Sequence, residues 1–204
     1  KHFKDIMNSG TPIVMFDRVA DGINCDKVVV DDFDSAYDAT SHLIKLGSKK
    51  IALLSTIQNL SVGKLRLDGY KKALSDANMS IDENLIIQET SIEDFDVKLQ
   101  ELISSKKMDA IFALDEHSST MTMRMALKQG IKIPEELNII GFADGVWSRR
   151  LTPSLSTVSQ HAPEIGAKAA ELLIHKLNSK DEFYQPQTVV IKTELRQRES
   201  TRKL

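Results

Sequence analysis

An α/β fold, with parallel sheets covered by helices on both faces, is what this sequence of 204 residues predicts. Three observations lead there. Short apolar runs alternate with segments of helical period along the whole chain. Gly or Asn stands where several helical segments stop. Several apolar runs end in an acidic residue, at the sheet edge where such folds bind ligands.

In chain order, Pro12-Ile-Val-Met-Phe16 is an apolar run that ends at Asp17, and Lys27-Val-Val-Val30 ends at Asp31 and Asp32. Residues 33–46 place Phe33, Ala36, Tyr37, Leu43, Ile44 and Leu46 near one helical face, and Gly47 supplies the stop. A strand over 50–54 leads through a polar loop to a helix over 62–77, closed by Asn78. Residues 85–87 read as a short strand, and 91–104 as a helix with Phe95, Leu99, Leu102 and Ile103 on one side. A strand over 109–114 ends at Asp115, and a helix over 117–129 ends at Gly130. Pro134 introduces a strand over 137–142, with Asp144 just beyond it. A last long helix covers 162–178, with Pro163 suited to its first turn. An extended stretch covers 187–196, and the polar tail from Arg196 to Lys203 is expected to fray.

Composition narrows the function classes. Apolar residues make up 41% and charged residues 27%, the balance of a soluble globular chain. A formal net charge of −2 gives the chain no global electrostatic reason to bind nucleic acid. Cys25 is the single cysteine, so no internal disulfide forms; a reducing compartment fits, and so does a disulfide-free exported protein. No apolar run approaches the roughly 18 residues of a membrane span. The start, Lys-His-Phe-Lys, has no initiator Met and no apolar signal region, which points to a fragment. The five histidines (2, 42, 117, 161 and 175) and Cys25 show no metal-ligand spacing, and no cofactor motif is present. An α/β enzyme would need a nucleophile elbow, a phosphate loop or a dinucleotide fingerprint; the sequence has none, so the expectation is no enzyme, no cofactor and no metal.

Seven stretches, in order and at consistent spacing, resemble the core of LacI/GalR-type bacterial repressors. They are Pro12-Ile-Val-Met-Phe-Asp-Arg18; Val29-Val-Asp-Asp32; Ala36-Tyr-Asp-Ala-Thr-Ser-His-Leu43 with Leu46-Gly47 and Ile51-Ala52; Arg66-Leu-Asp-Gly-Tyr70 with Ala73-Leu74; Asp109-Ala-Ile-Phe-Ala113; Ile133-Pro-Glu-Glu-Leu-Asn-Ile-Ile-Gly-Phe142; and Thr152-Pro-Ser-Leu-Ser-Thr-Val158, followed by Ile165-Gly166 and Leu195-Arg-Gln-Arg-Glu-Ser-Thr201. The resemblance implies a type I periplasmic-binding-protein-like fold: two parallel-sheet subdomains joined by crossover strands. Residues 1–31 and 160–188 would belong to an N-terminal subdomain that is incomplete in this chain, 32–159 to the C-terminal subdomain, and 189–204 to a crossover strand and tail. The implied function is ligand sensing in a DNA-binding regulator. A small effector, a sugar or sugar derivative, binds between the subdomains and changes operator affinity allosterically. Operator DNA would be bound through an N-terminal helix-turn-helix that is not in this chain. The implied assembly is a cytoplasmic homodimer, with no membrane partner. The alternative is a periplasmic sugar-binding protein of the same fold, serving transport or chemotaxis.

The resemblance also proposes effector-binding residues. Arg66 opens its motif at a helix start, where a planar guanidinium can bridge two hydroxyls; the other reading is a surface arginine paired with Asp68 or another acid. Asp17, closing the first run, would accept from sugar hydroxyls, or else satisfy nearby backbone N–H groups. Family members often carry Asp directly after Gly-Phe, but here Ala143 stands there and Asp144 follows. Leu114 is likewise apolar where many relatives carry a polar group, so either the effector is less polar at that end or Asp115, Glu116 and His117 supply the contacts; the other reading of His117 is a helix residue without a ligand role. Trp147, the one tryptophan, can stack on a sugar ring or serve as a packing anchor or dimer contact.

Overall fold

The computed structural model describes residues 2–20, 22–142, 145–179 and 184–203. In chain order the described elements are α1 (His2–Asn8), β1 (Val14–Phe16), β2 (Asp26–Val30), α2 (Asp32–Lys45), β3 (Ile51–Ser55), α3 (Ser61–Asp76), β4 (Ile86–Gln88), α4 (Ile92–Ser105), β5 (Ala110–Ala113), α5 (Glu116–Lys128), β6 (Asn138–Gly141), β7 (Ser156–Ser159), α6 (Ala162–Asn178), β8 (Thr188–Ile191) and β9 (Glu194–Arg196). Contacts divide the chain into two compact units. The first comprises residues 1–31 and 160–192, the second 32–159 and 193–204.

The first unit holds a parallel three-stranded sheet of order β1-β2-β8. Val28 and Val30 of β2 and Ile191 of β8 pack against Ile165, Ala169 and Leu172 of α6. α6 starts with Pro163 in its first turn, where the missing N–H costs nothing. Strand β8 ladders onto β2, so Thr188–Ile191 belong to the first unit, whereas the sequence reading began the crossover and tail at 189. Helix α1 is an addition to the sequence reading; Phe3, Ile6 and Met7 share one of its faces, but none of its seven side chains is fully buried.

The second unit holds a six-stranded sheet of order β4-β3-β5-β6-β7-β9. All its pairs are parallel except β7 with β9. Its central strands are buried on both faces, so their apolar runs are continuous, yet alternate residues still serve opposite layers. Ile51 and Leu53 of β3 pack with Ala36, Ala39 and Leu43 of α2 and Tyr70 and Leu74 of α3. Ala52 and Leu54 pack with Phe95, Leu99 and Ile103 of α4 and Met123 and Ala126 of α5. Helices α2 and α3 come together at Gly69, where an added Cβ would lie 2.3 Å from the Phe33 carbonyl oxygen. Hydrogen bonds start the other two helices: the Ser91 side chain accepts from Asp94 N ahead of α4, and Asp115 and Ser118 form a reciprocal capping box on α5.

The tail corrects the expectation that it frays. Ser200 and Thr201 are buried. Strands β6 and β7 pair only over Ile140–Ser156 and Gly141–Thr157, which leaves the backbone of Ile139 open on that side. Ser200 closes the gap: Ile139 N donates to Ser200 O at 2.8 Å, Ser200 Oγ donates to Ile139 O at 2.6 Å, and Ser156 N donates to Ser200 Oγ at 2.8 Å. Arg202 N then donates to the Asn138 side chain at 2.9 Å. A polar sequence is fixed here because it answers backbone groups that burial would otherwise orphan.

Candidate functional site

The register of the larger sheet builds its carboxyl edge. Leu54 pairs with Ala113 and Ala113 with Gly141, so Ser55, Leu114 and Phe142 follow side by side at the ends of β3, β5 and β6. Leu114 N donates back to Leu54 O at 2.8 Å and Phe142 N to Ala113 O at 2.7 Å, which extends the ladder one residue past each strand.

Arg66, on the second turn of α3, reaches this edge. Its Nε donates to Asp32 Oδ1 at 2.7 Å, and one terminal nitrogen donates to the Leu114 carbonyl at 2.6 Å. The guanidinium carbon lies 3.4 Å from the centroid of the Phe142 ring. Both charged side chains are 3% exposed. The guanidinium is thus a buried group that ties the start of α2, the end of β5 and the end of β6 together, by charge-assisted hydrogen bonds and by stacking. Asp32 and Phe142 had no role in the sequence reading; both stand inside quoted motifs, but only the tertiary fold brings them to Arg66.

The other expected residues divide. Asp115 stands at the edge, where its Oδ1 accepts from Ser118 N and its Oδ2 from Thr56 N, both at 2.8 Å. It therefore pins the β3–α3 loop to the start of α5. Trp147 lies in the turn beyond β6, half-buried against the α4/α5 layer, and its indole Nε1 donates to Glu116 Oε1 at 2.6 Å. That bond links the turn after β6 to the first turn of α5. His117, one residue on, sits elsewhere: its ring meets the edge of Phe95 at 5.6 Å, and Nε2 lies 3.4 Å from Asp96 Oδ1 on α4. Ala143 and Asp144 lie outside the described residues. Asp17, in the first unit, ends β1 with a left-handed backbone (φ 56°) and a side chain 40% exposed, near Arg18. Among the described residues no group of three or more His, Cys, Asp or Glu side chains is placed to hold a metal ion. The carboxyl edge combines a fixed guanidinium, aromatic rings and a carboxylate at one end of the sheet.

Comparison with known proteins gives a consistent picture. Residues 40–201 match the family of periplasmic binding protein-like domains. The chain is 32% identical over 166 residues to the HTH-type transcriptional regulator DegA of Bacillus subtilis, covering 81% of this chain and 49% of that protein. It is 32% identical over 178 residues to the ribose operon repressor of Haemophilus influenzae, covering 85% of this chain and 53% of that one. The chain thus spans about half the length of the curated relatives it matches. A solved structure described as a complex of the transcriptional regulator CelR with cellobiose superposes with a TM-score of 0.85 at 26% identity, over 96% of this chain and 60% of that one.

Proposed function

From the premise that this chain belongs to the periplasmic-binding-protein-like domain family of LacI-type regulators, we propose that it is the effector-sensing part of a bacterial transcription regulator. Its effector is a small sugar or sugar derivative, bound at the carboxyl edge of the six-stranded sheet. One relative is a ribose operon repressor and a structural neighbour is a cellobiose complex, which supports the sugar class. The observation that carries the reading is the placement of Arg66 on Phe142 and Leu114, at the edge where parallel α/β sheets bind ligands. Arg66, Trp147 and Asp115 are the ligand groups proposed for this unit, with Asp144 a further candidate from the sequence alone, and His117 takes a helix-packing role. Asp17 is the acceptor that the first unit offers. The protein acts as a cytoplasmic homodimer without catalytic chemistry, and operator DNA is read by a helix-turn-helix outside these residues. Effector binding favours one conformation and so shifts operator affinity. No helix of the described residues is long and apolar enough to cross a membrane.

A thermal-shift screen against monosaccharides, disaccharides, sugar phosphates and nucleobases tests this, because a ligand that binds only the folded state raises Tm. A sugar hit is expected. A hit confined to nucleobases, or none at all, overturns the sugar assignment.

A further inference from the structure

Between the turn beyond β6 and the first turn of α5, one indole ring is held from two directions. Trp147 Nε1 donates to Glu116 Oε1 at 2.6 Å, a short bond to a charged acceptor. Gly145 lies against the same edge of the ring: a Cβ added there would come within 2.5 Å of the indole Cδ1 and Nε1, and 3.4 Å from Glu116 Oε1. The backbone around the ring is fixed independently. Ser148 N and Oγ both donate to Gly145 O, at 3.1 and 2.7 Å, and Arg150 N donates to Trp147 O at 2.8 Å. On the facing element, the capping box of Asp115 and Ser118 fixes the start of α5 that carries Glu116. What the backbone leaves free is rotation of the indole about its own side-chain bonds, and Glu116 and Gly145 set that rotation.

This hold decides what Trp147 can offer a ligand. An indole has a single hydrogen-bond donor and no acceptor, and the donor is spent on Glu116. What is left is the electron-rich ring face, which attracts C–H groups rather than hydroxyls. A cyclic sugar carries C–H groups together on one side of its ring, ready to stack. An open-chain polyol has no such fixed face and must freeze several torsions to make one. On the sugar reading of the carboxyl edge, on which this inference rests, we propose that Glu116 is the positioning residue of Trp147, and that the indole so held selects cyclic sugars over open-chain polyols. Glu116 thus acts through the indole and not by touching the effector.

Trp147 is the one tryptophan, so the indole emission of the 204-residue chain reports this site alone. Emission and calorimetric heat are followed together in titrations with D-ribose, D-glucose and cellobiose, and with the open-chain ribitol and D-glucitol. Saturable heat and an emission shift are expected with a cyclic sugar, and neither with the polyols. Glu116→Ala should move the emission of the free chain to the red, as the ring loosens into water. It should also weaken sugar binding by roughly 3- to 10-fold, the scale of one hydrogen bond. Glu116→Gln keeps an oxygen that accepts from the indole and should restore most of both. Gly145→Ala should reproduce the loss without touching Glu116, and in a Trp147→Phe chain Glu116→Ala should cost nothing further. A sugar that binds the parent and Glu116→Ala chains equally overturns the proposal and leaves the sugar reading standing. A polyol that binds as well as its cyclic counterpart, or an emission that Glu116→Ala leaves in place, overturns the proposal too. No saturable heat with any of the three sugars overturns the sugar reading at this edge and the proposal with it.

Discussion

Arg66 Nε lies 2.7 Å from Asp32 Oδ1, and both side chains are 3% exposed. The pair joins the first residue of α2 to the second turn of α3, and through the Leu114 carbonyl to the end of β5. Removing one member of a buried pair leaves the other charge uncompensated, at about 3–5 kcal/mol. Arg66→Ala and Asp32→Ala are each expected to lose that much in urea unfolding. The double variant should lose clearly less than the sum, because the second change removes the stranded charge. Additive losses would show that the two groups act separately.

Gly69→Ala tests the α2–α3 contact. The new Cβ would lie 2.3 Å from the Phe33 carbonyl oxygen, a backbone atom that cannot rotate away. Because the helix backbones must separate, a loss of about 1–3 kcal/mol or more is expected, where helix propensity alone would give a gain. A more stable variant in a thermal melt would contradict the close approach.

Ser200→Ala should destabilise by about 1–3 kcal/mol, since it leaves Ser156 N buried without its acceptor. Truncation after Arg196 should cost more, because Ile139 N also loses the Ser200 carbonyl. A truncated chain with an unchanged Tm would return the tail to the frayed state that the sequence suggested.

His42 sets a pH dependence. Burial, with help from Lys45, holds its pKa below the ordinary value of 6.5. The unfolded chain therefore takes up this proton first as pH falls. The stability that the neutral ring contributes is present above 6.5 and is lost as pH drops through the lowered folded value. Urea unfolding at about pH 7.5 and about pH 5 should show a smaller loss in His42→Gln than in the parent chain. Equal losses would remove His42 as the source.

The strand–helix alternation was legible because the strands of the larger sheet are buried on both faces and their helices carry clear stripes and stops, as at Gly47 and Gly130. Strand β7 was not read as a strand: Ser156-Thr-Val-Ser159 is polar yet fully buried, and the tail answers Ser156, whose N donates to Ser200 Oγ and whose hydroxyl bonds with that of Thr201. Arg66 could be picked from its motif, but its commitment to Asp32 and Phe142 comes from elements 34 residues upstream and 76 downstream (66 − 32 and 142 − 66), which local patterning does not encode. Asp115 is a candidate ligand group whose two oxygens also accept from backbone N–H groups, a capping use that Asp-Glu-His-Ser118 already signals at a helix start. His117 follows two residues later, and the helix turns it toward α4.

The account turns on the carboxyl edge of the larger sheet as a sugar site built around Arg66. Calorimetric titration of the 204-residue chain with the sugar that most raises its Tm, alongside Arg66→Lys, tests this most directly. A lysine keeps the charge but loses the planar fork and its stacking on Phe142. The account predicts saturable binding by the parent chain, at least ~10-fold weaker in Arg66→Lys, about 1.4 kcal/mol. No saturable heat with any sugar, or equal affinity in a folded Arg66→Lys, would contradict it.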